Sequence, residues 1–378
     1  MCYFTACNMI TAHTMPKLIP LFLALLFVGV LAHVALADSH DAQFSDIKSD
    51  EHVVFFPTTA WFNAFKQQWH VPVHGWIYEP EDSTVRKALF ASALENKFDL
   101  SADAATDANF TERLNLLIAD NERGKQIVIS VAGRQFVLAP SSANGHFEGL
   151  LIIPEPDVDK HIDGDRIVYA AVTGPEESRS FAGEVQFVKP VGLSVISDID
   201  DTVKISNVTN RKSLLDHTFL LDFRAVPGMA ELYGQWSAQG VSFHFVSSSP
   251  WQLYAPLREF LDASGFPFAA FNLKVVRFRD ETLFDLFKKG TETKPAIIEG
   301  ILQTYPERKF VLVGDSGEQD PEVYAALMHK YPGQVLKAYI RNVTDETAGN
   351  ERFSTVFDGI CTESWLLFDD PRSLVLPD

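Results

Sequence analysis

Between residues 50 and 190, short apolar runs alternate with clusters of turn-forming residues. Pairs such as Asn144-Gly145 and Gly174-Pro175 separate the runs, which is typical of strands joined by tight turns. The pattern predicts a mostly-β region, built as an antiparallel sandwich or a small barrel. Apolar residues at helical spacing over 83–100 predict one helix within it. Examples of the predicted strands are 52–56, 71–78, 126–131, 146–153, 166–172 and 183–188.

After Pro190 the periodicity changes. Nearly continuous apolar strands are predicted at 193–197, 241–246, 309–313 and 335–340, and amphipathic helical segments separate them. Such strands are typical of a parallel sheet that is covered on both faces by helices. We therefore predict a mostly-β domain over 38–190 and an α/β domain over 191–378.

The first 37 residues have the pattern of a secretory signal peptide. They carry one charge, Lys17, which precedes a nearly continuous apolar run over 18–31. The step Ala35-Leu36-Ala37 then provides a cleavage site before Asp38. We expect cleavage of residues 1–37 and export of the protein to the periplasm or the medium. An uncleaved membrane anchor is the alternative, since the apolar run can be extended toward spanning length.

Composition narrows the possible functions. The chain has 378 residues, more than the about 100–200 of one typical domain, and its 46% hydrophobic content excludes wholesale disorder. Asp and Glu number 50 against 32 Lys and Arg, and the net charge of −18 argues against nucleic acid as a partner. Three cysteines cannot build a disulfide framework or a four-thiolate zinc site.

Two acidic residues follow the first strand of the predicted parallel sheet. In an open α/β sheet, ligands bind at the carboxyl ends of the strands, where Asp198 and Asp200 lie. Two carboxyl groups this close repel each other unless a cation lies between them or one is protonated. A calcium loop is excluded by spacing, because Val203 and Thr209 stand where glycine and glutamate are needed.

Further polar residues follow in order along the chain. Ser247 ends the second strand and either binds a phosphate oxygen or caps a helix. Lys294 begins a helix, where a cation is unfavourable unless an anion or carboxylates face it; otherwise it is simply solvated. Asp315 stands where the predicted strand at 309–313 stops. Asp320 is a further carboxylate of the site, the N-cap of the next helix, or both.

This succession of acid pair, hydroxyl, lysine and acid pair resembles the four motifs of the haloacid-dehalogenase superfamily. The surrounding residues resemble more closely the actin-patch-type phosphatidate phosphatases, a family with fungal and bacterial members. The resemblance covers residues 190–345 and rests on the segments DIDDTVK, FVSSSPWQLY, VLVGDSGEQDPE and YIRNV. It implies a haloacid-dehalogenase-like parallel sheet with helices on both faces.

The resemblance implies a phosphatase mechanism. Asp198 would be the nucleophile that forms an aspartyl-phosphate, and Asp200 the general acid and base. Ser247 and Lys294 would bind the phosphoryl oxygens. An aspartyl nucleophile divides phosphoester hydrolysis into two displacements, so these residue types suit the chemistry.

It also implies Mg²⁺ as the cofactor. Asp198, Asp315 and the main-chain carbonyl of Asp200 would hold the ion, and Asp320 would orient Lys294 or a water molecule on the metal. Carboxylate and carbonyl oxygens are the ligands that this hard cation prefers.

The implied substrate is phosphatidate at a membrane surface, which would be hydrolysed to diacylglycerol and phosphate. The intervals 198–247 and 247–294 are too short for a folded cap domain, so an open site is expected. The basic residues at 277–289 either form a cluster that suits anionic headgroups or are scattered on the surface and solvated. Two alternatives remain: an exported phosphatase of another phosphomonoester, or a binding protein with a vestigial phosphatase domain.

Overall fold

The computed structural model describes residues 44–98, 107–275 and 293–377, and side chains throughout these ranges except at 93–98. The predicted signal peptide at 1–37 and the basic cluster at 277–289 lie outside the described residues.

A nine-stranded sheet forms from the first half of the chain, which confirms the predicted mostly-β region. Its path is β1-β3-β2-β9-β8-β5-β6, with β4 and β7 also paired to β3. Its pairs are antiparallel except for β2 with β9, which are parallel, so the sheet is mixed. The strands are β1 (His52–Phe56), β2 (Thr58–Asn63), β3 (Gln68–Glu79), β4 (Asp120–Asn121), β5 (Val128–Val131), β6 (Arg134–Val137), β7 (His146–Pro154), β8 (Arg166–Ala171) and β9 (Ala182–Val188).

Among the described residues, three helices accompany this sheet: α1 (Thr84–Phe98), α2 (Ala108–Leu117) and α3 (Glu155–Asp159). The first confirms the helix predicted over 83–100. Asp107 caps α2, because its carboxylate accepts a hydrogen bond from the backbone N–H of Phe110.

A six-stranded parallel sheet forms from the second half, in the order β12-β11-β10-β13-β14-β15. Its strands are β10 (Leu193–Ser197), β11 (Ser242–Pro250), β12 (Ala269–Lys274), β13 (Lys309–Asp315), β14 (Val335–Arg341) and β15 (Trp365–Phe368). The helices around it are α4 (Arg211–Phe219), α5 (Met229–Ser237), α6 (Tyr254–Ala263), α7 (Thr293–Thr304), α8 (Asp320–Lys330) and α9 (Glu351–Val356).

Helices pack on both faces of this sheet. Val195 of β10 belongs to a core with Tyr233 of α5 and Leu257 of α6. The next residue, Ile196, belongs to a separate core with Ile298 of α7 and other residues of α7 and α8. Successive side chains of β10 are thus buried on opposite faces, and the predicted α/β fold with two covered faces is confirmed.

The strand order reverses at β10. The chain adds β11 and β12 on one side of β10 and then returns to add β13, β14 and β15 on the other. A crevice forms outside the carboxyl end of a strand at such a reversal, and ligands of open α/β sheets bind there. The first sheet packs close to this edge, because the ring of Phe56 in β1 lies 4.1 Å from that of Trp251, just after β11.

Two features bear on access to this edge. Between β10 and β11 the chain forms only α4 and α5, and the described part of the segment between β11 and α7 forms a short 3-10 turn, α6 and β12, so no folded cap occurs among the described residues. Within the same described ranges, no helix combines the length and the apolar character needed to cross a bilayer. The division into two domains near residue 190 stays a prediction.

Candidate active site

Asp198 lies directly beyond the last residue of β10. Its backbone N–H donates to the carbonyl of Val313 in the neighbouring β13, at 2.8 Å. Its own carbonyl accepts from the hydroxyl of Ser197 at 2.7 Å, and that hydroxyl accepts from Tyr233 at 2.8 Å. These buried hydrogen bonds fix the backbone that carries the first carboxylate of the site.

Lys294 faces this carboxylate from the first turn of α7. Its Nζ lies 2.9 Å from Oδ1 of Asp198 and also contacts Oδ1 of Asp320. Lys294 is only 7% exposed, so the alternative of a solvated lysine is wrong. Burial alone would lower the pKa of Lys294, but the two carboxylates outweigh burial and raise the pKa well above its ordinary value.

The second pair of acids lies at the end of β13 and the start of α8. Asp315 accepts hydrogen bonds at Oδ1 from the backbone N–H of Gly317, at 2.7 Å, and of Glu318, at 3.2 Å. Oδ2 of Asp320 accepts from the N–H of Asp315 at 3.2 Å. Asp320 is the first residue of α8, whose N-cap is Gln319, so the N-cap alternative for Asp320 is wrong.

Gly314 makes this arrangement possible. A Cβ atom at this position would overlap the carboxylate of Asp320, which packs directly on the glycine backbone. The glycine before Asp315 is therefore required by close approach.

Three carboxylates converge here. Asp198, Asp315 and Asp320 are all buried, and each offers an oxygen within 4.8 Å of the others. Oδ2 of Asp198 and Oδ2 of Asp315 have no hydrogen-bond partner among the described residues. Lys294 contacts two of them, Asp198 and Asp320, and its single positive charge leaves two negative charges to balance when all three are ionised. The unpartnered oxygens and the excess charge fit a divalent, oxygen-ligated cation.

Burial and the closeness of the carboxylates also shift the pKa values of Asp198 and Asp315. Burial raises the pKa of Asp198 well above its usual range, and the charge of Asp320 adds to this while Lys294 opposes it. Burial, with the charges of Asp320 and Asp198, likewise raises the pKa of Asp315. A bound cation would favour the ionised forms of both groups.

Asp200 has a different set of partners. Its Oδ1 accepts from Nζ of Lys204 and from the hydroxyl of Ser206, both at 2.7 Å. Its Oδ2 accepts from the hydroxyls of Ser249, at 3.1 Å, and Ser247, at 3.3 Å. Burial would raise the pKa of Asp200. The charge and hydrogen bond of Lys204, together with the hydrogen bonds from the serine hydroxyls, outweigh burial and hold the pKa at about 2.

Asp201 folds the loop that brings Lys204 and Ser206 back to Asp200. It adopts a left-handed conformation with φ 54°, which aspartate tolerates better than most residues. Its carboxylate accepts from the backbone N–H groups of Ser206, Asn207 and Val208, at 2.8, 2.9 and 2.6 Å. The reversal places Lys204 and Ser206 against Asp200.

Ser247 lies inside β11, which continues to Pro250 and not only to residue 246. Besides its bond to Asp200, the hydroxyl accepts from the backbone N–H of Ser249 at 3.0 Å. The next helical turn begins at Trp251, with Pro250 at its cap position, so the helix-cap alternative for Ser247 is wrong.

The structure therefore brings all six sequence-predicted site residues to one edge of the sheet, although their roles stay predictions. Three residues that contact Asp200 were not among them: Lys204, Ser206 and Ser249. The segments DIDDTVK and FVSSSPWQLY contain two of the three, but no local pattern distinguishes those two from solvated loop residues.

Comparisons with known proteins agree with the motif reading. Residues 193–342 match the family model described as the catalytic domain of phosphatidate phosphatase APP1. An uncharacterized protein of Schizosaccharomyces pombe is 26% identical over 267 residues, which cover 69% of this chain and 40% of that protein. Phosphatidate phosphatase APP1 of Saccharomyces cerevisiae is 35% identical over 159 residues, covering 41% of this chain and 27% of that protein.

The chain thus spans less than half the length of these two relatives. Among solved structures, a D,D-heptose 1.7-bisphosphate phosphatase of B. bronchiseptica, crystallised with magnesium and phosphate, matches 48% of this chain and 94% of its own. It shares 13% sequence identity with this chain, at a TM-score of 0.28. The family match confirms the resemblance carried by the motifs: residues 193–342 are similar to the catalytic-domain family of phosphatidate phosphatase APP1.

Proposed function

We propose that the protein is a metal-dependent phosphatase that hydrolyses phosphatidate to diacylglycerol and phosphate. The observation that carries the proposal is the buried carboxylate of Asp198, whose Oδ2 has no partner in the described structure and which lies beside Lys294 and two further acids. The match of residues 193–342 to the catalytic-domain family supports the lipid substrate.

The reaction would run in two displacements. In the first, a carboxylate oxygen of Asp198 bonds to phosphorus, the ester P–O bond breaks, and the leaving oxygen takes a proton from Asp200. In the second, a water molecule gives a proton to Asp200 and attacks phosphorus. The bond from phosphorus to Asp198 then breaks, phosphate leaves, and both carboxyl groups return to their initial states.

Asp200 must carry a proton when the alcohol leaves, although its pKa is about 2 in the free protein. A phosphate dianion brought beside Asp200 adds negative charge, which raises the proton affinity of the carboxylate. Ser247 and Lys294 would bind the phosphoryl oxygens, the lysine as a fixed ammonium charge.

Mg²⁺ is the cofactor that we propose. Asp198, Asp315 and the main-chain carbonyl of Asp200 would hold it, with Asp320 orienting Lys294 or a metal-bound water molecule. When bound, the ion would neutralise charge that develops on the phosphoryl oxygens.

We also propose that the enzyme acts at a membrane surface after export. The described residues place no folded cap over the carboxyl edge of the sheet. An uncapped site can approach a phosphate that lies at the surface of a bilayer. The apolar leader and the Ala35-Leu36-Ala37 step support export with cleavage before Asp38.

The test is phosphate release from a panel of substrates: phosphatidate in mixed micelles, lysophosphatidate, glycerol phosphate and a phosphopeptide. The wild type should prefer phosphatidate by at least tenfold in kcat/KM, should lose activity in chelator and should regain it with Mg²⁺. Asp198→Asn should lose at least about 1,000-fold in kcat, because it removes the nucleophile. Exposed Asp159→Asn, which removes the same charge on α3, should retain full activity.

The outcomes separate the alternatives. Equal turnover of soluble and membrane phosphomonoesters would leave a general phosphatase and remove the lipid assignment. Full activity in chelator, or an active Asp198→Asn enzyme, would remove the proposed mechanism. No activity on any substrate with Mg²⁺ present would favour a binding protein with a vestigial phosphatase domain.

A further inference from the structure

The two oxygens of the Asp200 carboxylate are held unequally. Oδ1 accepts from the ammonium of Lys204 and from the hydroxyl of Ser206, both at 2.7 Å. Oδ2 accepts only from neutral hydroxyls, those of Ser249 at 3.1 Å and Ser247 at 3.3 Å, within the described structure. A charge-assisted hydrogen bond is about twice as strong as a neutral one, so Oδ1 is the anchored atom.

Lys204 is itself fixed in place. Its side chain is 2% exposed, and its Nζ lies 5.0 Å from the centre of the Phe223 ring. Its backbone N–H donates to the carbonyl of Ile199 at 2.9 Å, and its carbonyl accepts from the N–H of Asp201 at 2.6 Å. A lysine bound at both its backbone and its ammonium holds one position, unlike a solvated lysine.

We propose that Lys204 is a positioning residue for the phosphatase reaction: it anchors Oδ1 of Asp200, so that Oδ2 is the oxygen presented to the ester oxygen of the substrate. Oδ2 can exchange its weak hydroxyl partners for the substrate, because each neutral hydrogen bond contributes only about 1 kcal/mol net. The hydrogen bond from the ammonium of Lys204 to Oδ1 persists through that exchange, also when Oδ2 is protonated, and keeps the carboxyl group from rotating. This inference rests on the proposed function.

The positioning role of Lys204 can be measured by comparing substrates with different leaving groups. An alkoxide that leaves from an alkyl ester is strongly basic, so its departure depends on a correctly placed proton donor. A phenoxide that leaves from an aryl ester is far less basic and depends on the donor much less. A displaced Asp200 should therefore slow alkyl esters selectively, whereas a general loss of folded enzyme would slow both classes equally.

The experiment compares two lipid monoesters with the same acyl chain in mixed micelles, N-acyl ethanolamine phosphate (alkyl) and N-acyl tyramine phosphate (aryl). For Lys204→Met we expect kcat on the alkyl ester to fall about 100-fold, the loss typical of a misplaced catalytic group. The aryl ester should lose less than about 5-fold, because its leaving group needs little proton transfer.

Two further variants keep the test decisive. Ser206→Ala removes the neutral donor to Oδ1 and should give a smaller loss, about 3- to 10-fold, again selective for the alkyl ester. It decides the question if Lys204→Met does not fold. Arg113→Met is the matched control, because this buried cation lies 4.0 Å from the same Phe223 ring but hydrogen-bonds to the carbonyls of Thr218 and Leu221. It should change both esters by the same factor.

Equal losses on the two esters for both Lys204→Met and Ser206→Ala would overturn the positioning role while leaving the proposed function intact. A wild-type enzyme that hydrolyses neither ester nor phosphatidate would instead overturn the proposed function, and the role of Lys204 with it.

Discussion

Asp315→Asn separates the charge of the acidic cluster from its shape. Asp315 is 0% exposed, and its Oδ1 accepts from the backbone N–H groups of Gly317 and Glu318. Its Oδ2 has no partner within the described ranges. Asparagine can keep both accepted hydrogen bonds with its amide oxygen and place its amino group where Oδ2 lies. The substitution therefore removes one buried negative charge with little change in packing.

The distances between the three carboxylates predict whether Asp315→Asn raises or lowers the stability of the protein. Like charges separated by the 4.8 Å that bounds this cluster repel by about 3 kcal/mol per pair at an effective dielectric constant of about 20. Lys294 and partial protonation offset much of this repulsion. We therefore expect metal-free Asp315→Asn to be more stable than the wild type by about 1–2 kcal/mol, a rise of a few degrees in Tm.

Thermal unfolding in chelator and in Mg²⁺ measures the effect. A ligand at 100 times its Kd stabilises a protein by about 2.7 kcal/mol, so the wild type should gain Tm with Mg²⁺. Asp315→Asn should gain much less, and the order of stability of the two proteins should reverse. Exposed Asp159→Asn serves as the charge control and should follow the wild type in both conditions. A variant that is less stable than the wild type in chelator, or that gains as much from Mg²⁺, would refute this account of the cluster.

Three other predictions follow from the structure and the sequence. Gly314→Ala should lower kcat by more than about tenfold and abolish stabilisation by Mg²⁺, because its Cβ would displace Asp320; Gly333→Ala, in open space, should do neither. Burial lowers the pKa of His146 to about 4. The unfolded chain, in which the pKa of this histidine is 6.5, takes up the proton at a higher pH than the folded chain does. The free energy of unfolding should therefore fall by up to about 3 kcal/mol as the pH falls from 6.5 to 4. Urea unfolding should show a smaller loss for His146→Gln, and an identical pH dependence would contradict this reading. Mass spectrometry of the exported protein should show a chain that begins at Asp38, and a retained leader would indicate an anchor instead.

Local sequence pattern was sufficient for much of the fold. The predicted strands at 52–56 and 193–197 coincide with β1 and β10, because each is an apolar run bounded by residues that do not extend a strand. The strands named from the pattern do not include β2, β4, β6, β12 and β15, which have two to six residues each. Such short segments become strands only because a neighbouring strand pairs with them.

The same contrast holds for the site. Asp198, Asp200 and Asp315 could be placed from sequence, because the carboxyl ends of adjacent parallel strands must meet at one edge. Tertiary structure alone decided that Lys294 is buried between two carboxylates, since nothing local shows which groups face a helix start.

The partners of Asp200 also depend on tertiary structure. Lys204 reaches it because Asp201, in a left-handed conformation, reverses the loop and holds it with three backbone hydrogen bonds. Ser249 reaches it because β11 stays extended to Pro250, where it pairs with β12. Apolar periodicity describes how a segment meets a core, so it determined the strands and their ends. Contacts between polar side chains depend on single loop conformations, which only the folded chain defines.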